Sequence, residues 1–189
     1  MDAGGARQKH QTGVNSIMRI NAIQPGTQPE LAALETRIQG ARGRISLLYQ
    51  VLLNSPPVAH GWEQMMSGIR NHNSLPAGLR EMLILRVAVV NRAPYEFEAH
   101  VPHALAGGVA QTTIDALRSP VLPTDAGLDE AESVALEYAD AMTRDIEVPD
   151  ALFERVSRHF EGQRLVDLTA TVASYNMVSR FLVALRIGH

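Results

Sequence analysis

The sequence predicts an all-α protein, with helix pairs packed around a central hairpin, Leu79–Gly108. Three observations lead there. Apolar residues recur at helical spacing in segment after segment. No segment alternates as a half-buried strand would. Pro and Gly punctuate the chain mainly between the periodic runs.

The totals narrow the classes. A chain of 189 residues suits one domain, or at most two small ones, and is long enough to bury a core. With 46% hydrophobic and 20% charged residues it has an ordinary globular composition. A net charge of −3 provides no basic footprint, so neither nucleic acid nor a membrane surface is an expected partner. No stretch is expected to span a bilayer, and the first residues lack the apolar core of a signal peptide, so a cytoplasmic location is expected. Cysteine is absent, which removes disulfides, thiolate metal sites and thiol chemistry together.

Residues 1–28 are polar and read as a flexible tail, with Met1 or Met18 as the start. Residues 29–189 form the expected helical domain. Pro29 opens a helix in which Leu31, Leu34 and Ile38 share a face. ISLLYQVLLN is a shorter apolar helix, and Ser55-Pro56-Pro57 interrupts the pattern. Trp62, Met65, Met66 and Ile69 make a stripe over Val58–Ile69, read as core packing rather than a ligand platform. Ser74 is the expected cap of the next helix, with Pro76 in its first turn.

Leu79–Asn91 is apolar nearly all round and therefore central. Pro94 starts its partner, placing Glu96 at N3 and His100 one turn on, with Pro102 expected to kink the helix. Gly107-Gly108 ends it. Gln111–Arg118 is a short helix, and Leu122–Gly127 a loop broken by Pro123, Asp125 and Gly127. Asp129 and Glu132 have the spacing of a capping box. ALFERVSRHF follows Pro149, and the final helix, about Arg164–Arg186, carries an apolar face from Leu165 to Leu182.

Glu81, Glu96 and His100 stand out because they lie in the least polar part of the chain. Two carboxylates and an imidazole make a proton-transfer set, since one carboxyl can be kept neutral while histidine titrates near pH 7. Each also has a structural reading. Glu96 can satisfy the helix N-terminus, His100 can be a hydrogen-bonded core residue, and Glu81 can pair with Arg80 or Arg86. Glu96, His100 and His103 have i, i+4, i+7 spacing, but no ligand from a second segment is evident and no metal is expected. A serine hydrolase lacks its nucleophile elbow.

From about Val58 onward, LREMLILRVAVVNRAPYEFEAHVPHALAGGVAQTTIDAL and LVDLTATVASYNMVSRFLVAL resemble the carboxymuconolactone decarboxylase family, which includes the alkyl hydroperoxidase D-like proteins. In the peroxidase branch the motif runs Glu, Cys-x-x-Cys, His. Carried over, the Glu falls on Glu81, the His on His100 and the cysteines on Ala93 and Glu96. Both thiols are missing, so a thiol peroxidase mechanism cannot operate and an inherited peroxidase label is unsupported. Tyr95-Glu96-Phe97 with His100 is instead similar to the cysteine-free, decarboxylase-like branch.

The resemblance implies a cofactor-independent acid/base lyase acting on a small carboxylated lactone or ring compound. His100 would be the principal acid/base, Glu96 its orienting partner and Glu81 a tuning group. Tyr95, Arg86, His103 and Arg180 are the expected substrate-binding residues, Arg86 or Arg180 holding a carboxylate. It also implies a homo-oligomer, as a trimer or hexamer. The alternatives are a non-catalytic small-molecule-binding member of the same fold and a metal-dependent enzyme.

Overall fold

The computed structural model describes residues 18–122 and 126–188. A single 3-10 turn, Pro29–Leu31, runs into α1, Ala32–Arg42. There follow α2 (Leu47–Leu52), α3 (Pro56–Asn71), α4 (Ala77–Val90), α5 (Pro94–Ala106), α6 (Gln111–Leu117), α7 (Glu130–Arg144), α8 (Asp150–Ser157) and α9 (Gly162–Leu185). Among the described residues there is no strand, and the protein is all-α.

Helix α4 is the axis. It packs against α5, α6, α7 and α9, and Met82–Ala88 is buried on every side. α5 returns along it through the tight turn Asn91–Arg92–Ala93, with Arg92 in a left-handed conformation at φ 56°. The Asn91 side-chain amide donates to Asn176 of α9 at 2.9 Å, and Asn176 donates to Thr143 of α7 at the same distance. One polar chain thus ties the hairpin turn to both neighbouring helices.

The other end of the hairpin is held by contact between backbones. A Cβ placed on Gly78 would lie 2.9 Å from the Gly107 carbonyl oxygen, so both positions require the absence of a side chain. Gly108, at φ 87°, then supplies the left-handed exit. α5 continues through Pro102 to Ala106, where a kink was expected. Pro102 and Glu98 both lie on the exposed face, so the Glu98 carbonyl that loses its amide partner is open to water.

The capping box of α7 is formed: Asp129 accepts from the Glu132 amide at 2.8 Å, and Glu132 accepts from the Asp129 amide at 3.1 Å. Ser74 does not cap α4. Its amide and hydroxyl donate to Asp167 of α9, at 2.8 and 2.6 Å, and Pro76 occupies the N-cap. The supposed tail is also corrected from residue 18 onward. The Arg19 amide donates to Leu185 and the Ile23 amide to Gln50, both at 3.0 Å, while Ile20, Ala22 and Ile23 pack on the core. Residues 1–17, and Pro123 and Asp125 of the expected loop, lie outside the described residues.

A further correction concerns α9, which by length and hydropathy could cross a membrane. Its apolar content has a local cause: Leu168, Val172, Tyr175, Val178 and Leu182 are buried, and the helix packs against α3, α4, α5 and α7.

Arg86, the second charge of α4, is completely buried. It forms a bidentate pair with Asp140 of α7, both contacts at 2.5 Å, and donates to the carbonyls of Ser119 and Pro120 at 2.6 and 3.0 Å. Its guanidinium therefore closes the end of α6 against α7. Arg86→Ala leaves the Ser119 carbonyl unanswered and leaves Asp140 and the Pro120 carbonyl with Arg144 alone, so we expect a loss of about 3 kcal/mol in urea unfolding.

Candidate active site

Glu81 projects from α4 and His100 from α5, and their side chains meet: His100 Nδ1 lies 2.7 Å from Glu81 Oε2. Both residues are buried, at 1% and 7% exposure. The other Glu81 oxygen lies 3.6 Å from Arg80 Nε. Burial opposes the charge on Glu81, but the His100 hydrogen bond and the fields of His100, Arg70 and Arg80 outweigh it, holding the carboxyl below its usual range. Burial pushes His100 down, against the pull of Glu81, and so favours neutral imidazole. An ionised Glu81 can only accept, which assigns the ring proton to Nδ1 and leaves the Nε2 lone pair available. The Tyr175 ring of α9 meets the imidazole edge-on at 5.1 Å and fixes its orientation.

Glu96 takes a different environment. It occupies N3 of α5 but makes no capping contact, and it turns into the protein instead. Oε2 contacts the hydroxyl of Ser179 on α9, while Oε1 is buried without a hydrogen-bond partner. Burial raises this carboxyl to about 8, only partly opposed by Ser179. The proton count agrees. Ser179 Oγ also lies 2.8 Å from the Tyr175 carbonyl, and a single hydroxyl proton cannot serve both acceptors. A protonated Glu96 donating to Ser179, which in turn donates to Tyr175, satisfies both contacts.

Glu96 and His100 line one cavity of about 230 Å³. Its apolar wall comes from Trp62 and Met66 of α3 and from Tyr175, Val178 and Leu182 of α9. Tyr95 and His103 of α5 border it, as do Arg42, Tyr49 and Arg70. Glu81 stands behind His100 rather than on the surface of the cavity.

The structure thus brings together His100, Glu96, Tyr95 and His103, with Glu81 as the direct partner of His100. The expected pairing is corrected: Glu81 orients the imidazole, and Glu96 is engaged by Ser179. Two of the expected substrate-binding residues are displaced. Arg86 is consumed by Asp140 and the α6 carbonyls, and Arg180 lies exposed on α9 outside the cavity lining. Trp62 and Met66, read as core, are core and cavity wall at once. Ser179 went unnoticed, although a serine four residues after Tyr175 on a buried helical face carries the same signal that marks Glu81. Among the described residues no cluster of three or more His, Cys, Asp or Glu side chains is arranged to hold a metal.

The fold is shared with known structures of low sequence similarity. An uncharacterized peroxidase-related protein from Ralstonia eutropha JMP134, described as an alkylhydroperoxidase AhpD core, has a TM-score of 0.77 at 18% identity, covering 90% of this chain and 91% of its own. A peroxidase-related protein from Silicibacter sp. TM1040 gives 0.73 at 18%, covering 90% of each chain. The debrominase Bmp8, as a cysteine-to-alanine variant in complex with 2,3,4-tribromopyrrole, gives 0.73 at 17%, covering 88% of each. No curated protein is significantly similar in sequence. Residues 56–141 match the sequence model of the Carboxymuconolactone decarboxylase family.

Proposed function

We propose that the protein is a cofactor-independent acid/base enzyme of carboxy-lyase type, acting on a small carboxylated lactone or ring compound. The observation that carries this reading is the pairing, in one cavity, of a neutral buried carboxyl, Glu96, with an imidazole backed by an ionised carboxylate, His100 and Glu81. The match of residues 56–141 to the family's sequence model supports the scaffold. The cavity volume suits a single-ring ligand, and the debrominase of the same fold was crystallised with one.

The chemistry follows from the charges. A bound substrate anion raises the proton affinity of both groups, favouring imidazolium over imidazole and keeping Glu96 protonated. When the C–C bond to the carboxylate breaks, its electron pair moves into the ring as a dienolate and CO2 leaves. The imidazolium, paired with Glu81, stabilises the enolate oxygen. Glu96 then delivers its proton to the carbon that lost CO2. The resulting carboxylate accepts from Ser179, whose hydroxyl turns away from the Tyr175 carbonyl, and solvent restores the proton. The apolar wall keeps water from hydrating the departing carboxylate.

Three outcomes are expected. In assays of CO2 release and solvent deuterium incorporation, His100→Ala should abolish turnover and Glu96→Gln should lower kcat by roughly 10²–10⁴. Wild-type rates in both variants would remove the scheme, and saturable ligand binding without turnover in the wild type would favour a binding protein. The kcat/KM profile should fall in two steps as pH rises, first as His100 loses its proton below the ordinary imidazole range and again through about 8, where Glu96 loses its own. Ser179→Ala, which removes a partner of the Glu96 anion, should move the second step to higher pH.

The same group has a stability signature. Its folded value of about 8 exceeds that of an ordinary glutamate. Between those two values folding takes up a proton, so its contribution to stability is complete at low pH and lost as pH rises through 8. Glu96→Gln removes this dependence. We expect its melting midpoint to exceed the wild type by more at pH 8 than at pH 5, with an upper gain of roughly 5 kcal/mol. An equal difference at both values would place the charged carboxyl in a solvated environment.

A further inference from the structure

We infer that Arg70 and Arg42 form an anion-binding subsite at the wall of the cavity, so that its ligand is a small organic anion with an apolar ring. This deepens the acid/base reading and rests on it only in placing both functions in one cavity. The arginines come from separate helix ends, Arg42 from the last turn of α1 and Arg70 from the last turn of α3, and both line the cavity. Among the described residues no carboxylate lies within ion-pairing distance of either. Arg42 has a buried Nε without a partner; its guanidinium lies 5.8 Å from the centre of the Tyr49 ring, and a terminal nitrogen reaches the Glu63 carbonyl and the Ser67 hydroxyl, both at 3.4 Å. Arg70 makes no side-chain hydrogen bond there, yet its charge reaches Glu81, His100 and Tyr175.

A plainer role exists for such residues, since cations at helix C-termini answer the helix dipole. That role is met equally well by a side chain extended into water. Here two guanidiniums border a concave, apolar-walled space that also contains the acid/base pair. A carboxylate is the group a planar guanidinium fork matches best. With Arg86 tied to Asp140, Arg180 outside the cavity and Arg44 exposed at its border, Arg70 and Arg42 are the half-buried cations in position to anchor it.

The chain's only tryptophan, Trp62, lines the cavity and reports its occupancy by fluorescence. Titration of the full chain with benzoate, and with neutral benzamide as the isosteric control, tests the subsite without needing turnover. Benzoate should bind at least 10-fold more tightly than benzamide, and the difference should shrink with added salt. Arg70→Gln and Arg42→Gln, checked for an unchanged circular dichroism spectrum, should each weaken benzoate binding while leaving benzamide unaffected. Equal affinity for the two probes in the wild type, or wild-type benzoate affinity in both variants, would overturn the subsite. Charge discrimination without turnover of any ring acid would keep the subsite and remove the lyase reading. Undiminished kcat/KM on a ring acid in both variants would do the reverse.

Discussion

Everything near the cavity depends on how α4 answers its two buried charges. A helix enclosed by α5, α6, α7 and α9 leaves no water to solvate Glu81 or Arg86, so each must find an opposite or hydrogen-bonding group. The two solutions differ in kind. Arg86 receives a full complement of acceptors from Asp140 and the three carbonyls of Leu117, Ser119 and Pro120, an arrangement with nothing left to offer a ligand. Glu81 receives one imidazole nitrogen and a distant guanidinium. That bond leaves the opposite ring nitrogen of His100 free, and it also joins α4 to α5 at the level of the cavity. A structural necessity thereby produces an oriented base.

Glu96 illustrates which of two opposing effects prevails. At N3 of α5 the helix dipole favours a negative charge, by about 0.3–1 kcal/mol. Removal of a carboxylate from water costs several kcal/mol even after relaxation. Burial therefore wins, and the carboxyl keeps its proton in spite of its place at a helix N-terminus. Ser179 reduces the effect without reversing it. Two glutamates fifteen residues apart consequently hold opposite protonation states, the condition under which one site can both donate and accept protons.

How much of this could be read from the sequence follows from what each feature depends on. The helices were legible because their apolar spacing and their breakers are local, and the α7 capping box was legible because it spans four residues. Glu81, Glu96 and His100 were conspicuous as polar residues in apolar surroundings. Their pairing was not legible, because it depends on the rotation of α5 against α4, a matter of tertiary packing like the close Gly78–Gly107 approach at the end of the hairpin. Arg70 and Arg42 were missed for a similar reason. An arginine at the end of an amphipathic helix has nothing unusual in its local pattern, and only the packing of α1 on α3 and of α3 on α9 places it at the cavity. Arg86 misled because a buried cation looks equally available whether or not a distant aspartate has already claimed it.

The absence of thiols fixes what kind of cycle such a site can run. Of the two cysteine positions of the resembled peroxidase branch, one is Ala93, a buried residue at the N-cap of α5, and the other is Glu96. An alanine methyl has no chemistry to contribute, and a carboxyl does not exchange electrons with a substrate in the way a thiol pair does. What Glu96 can return to its starting state is a proton, and for that it needs only water. Reset by water requires that the cavity stay reachable from solvent, and the exposed His103 on its border, with its ring 5.7 Å from that of His100, lies where such a path would run. On the proposed decarboxylation the cavity has two demands to balance, dryness around the departing carboxylate and access for the returning proton. An apolar wall from α3 and α9 opposite a polar border from α5 meets both.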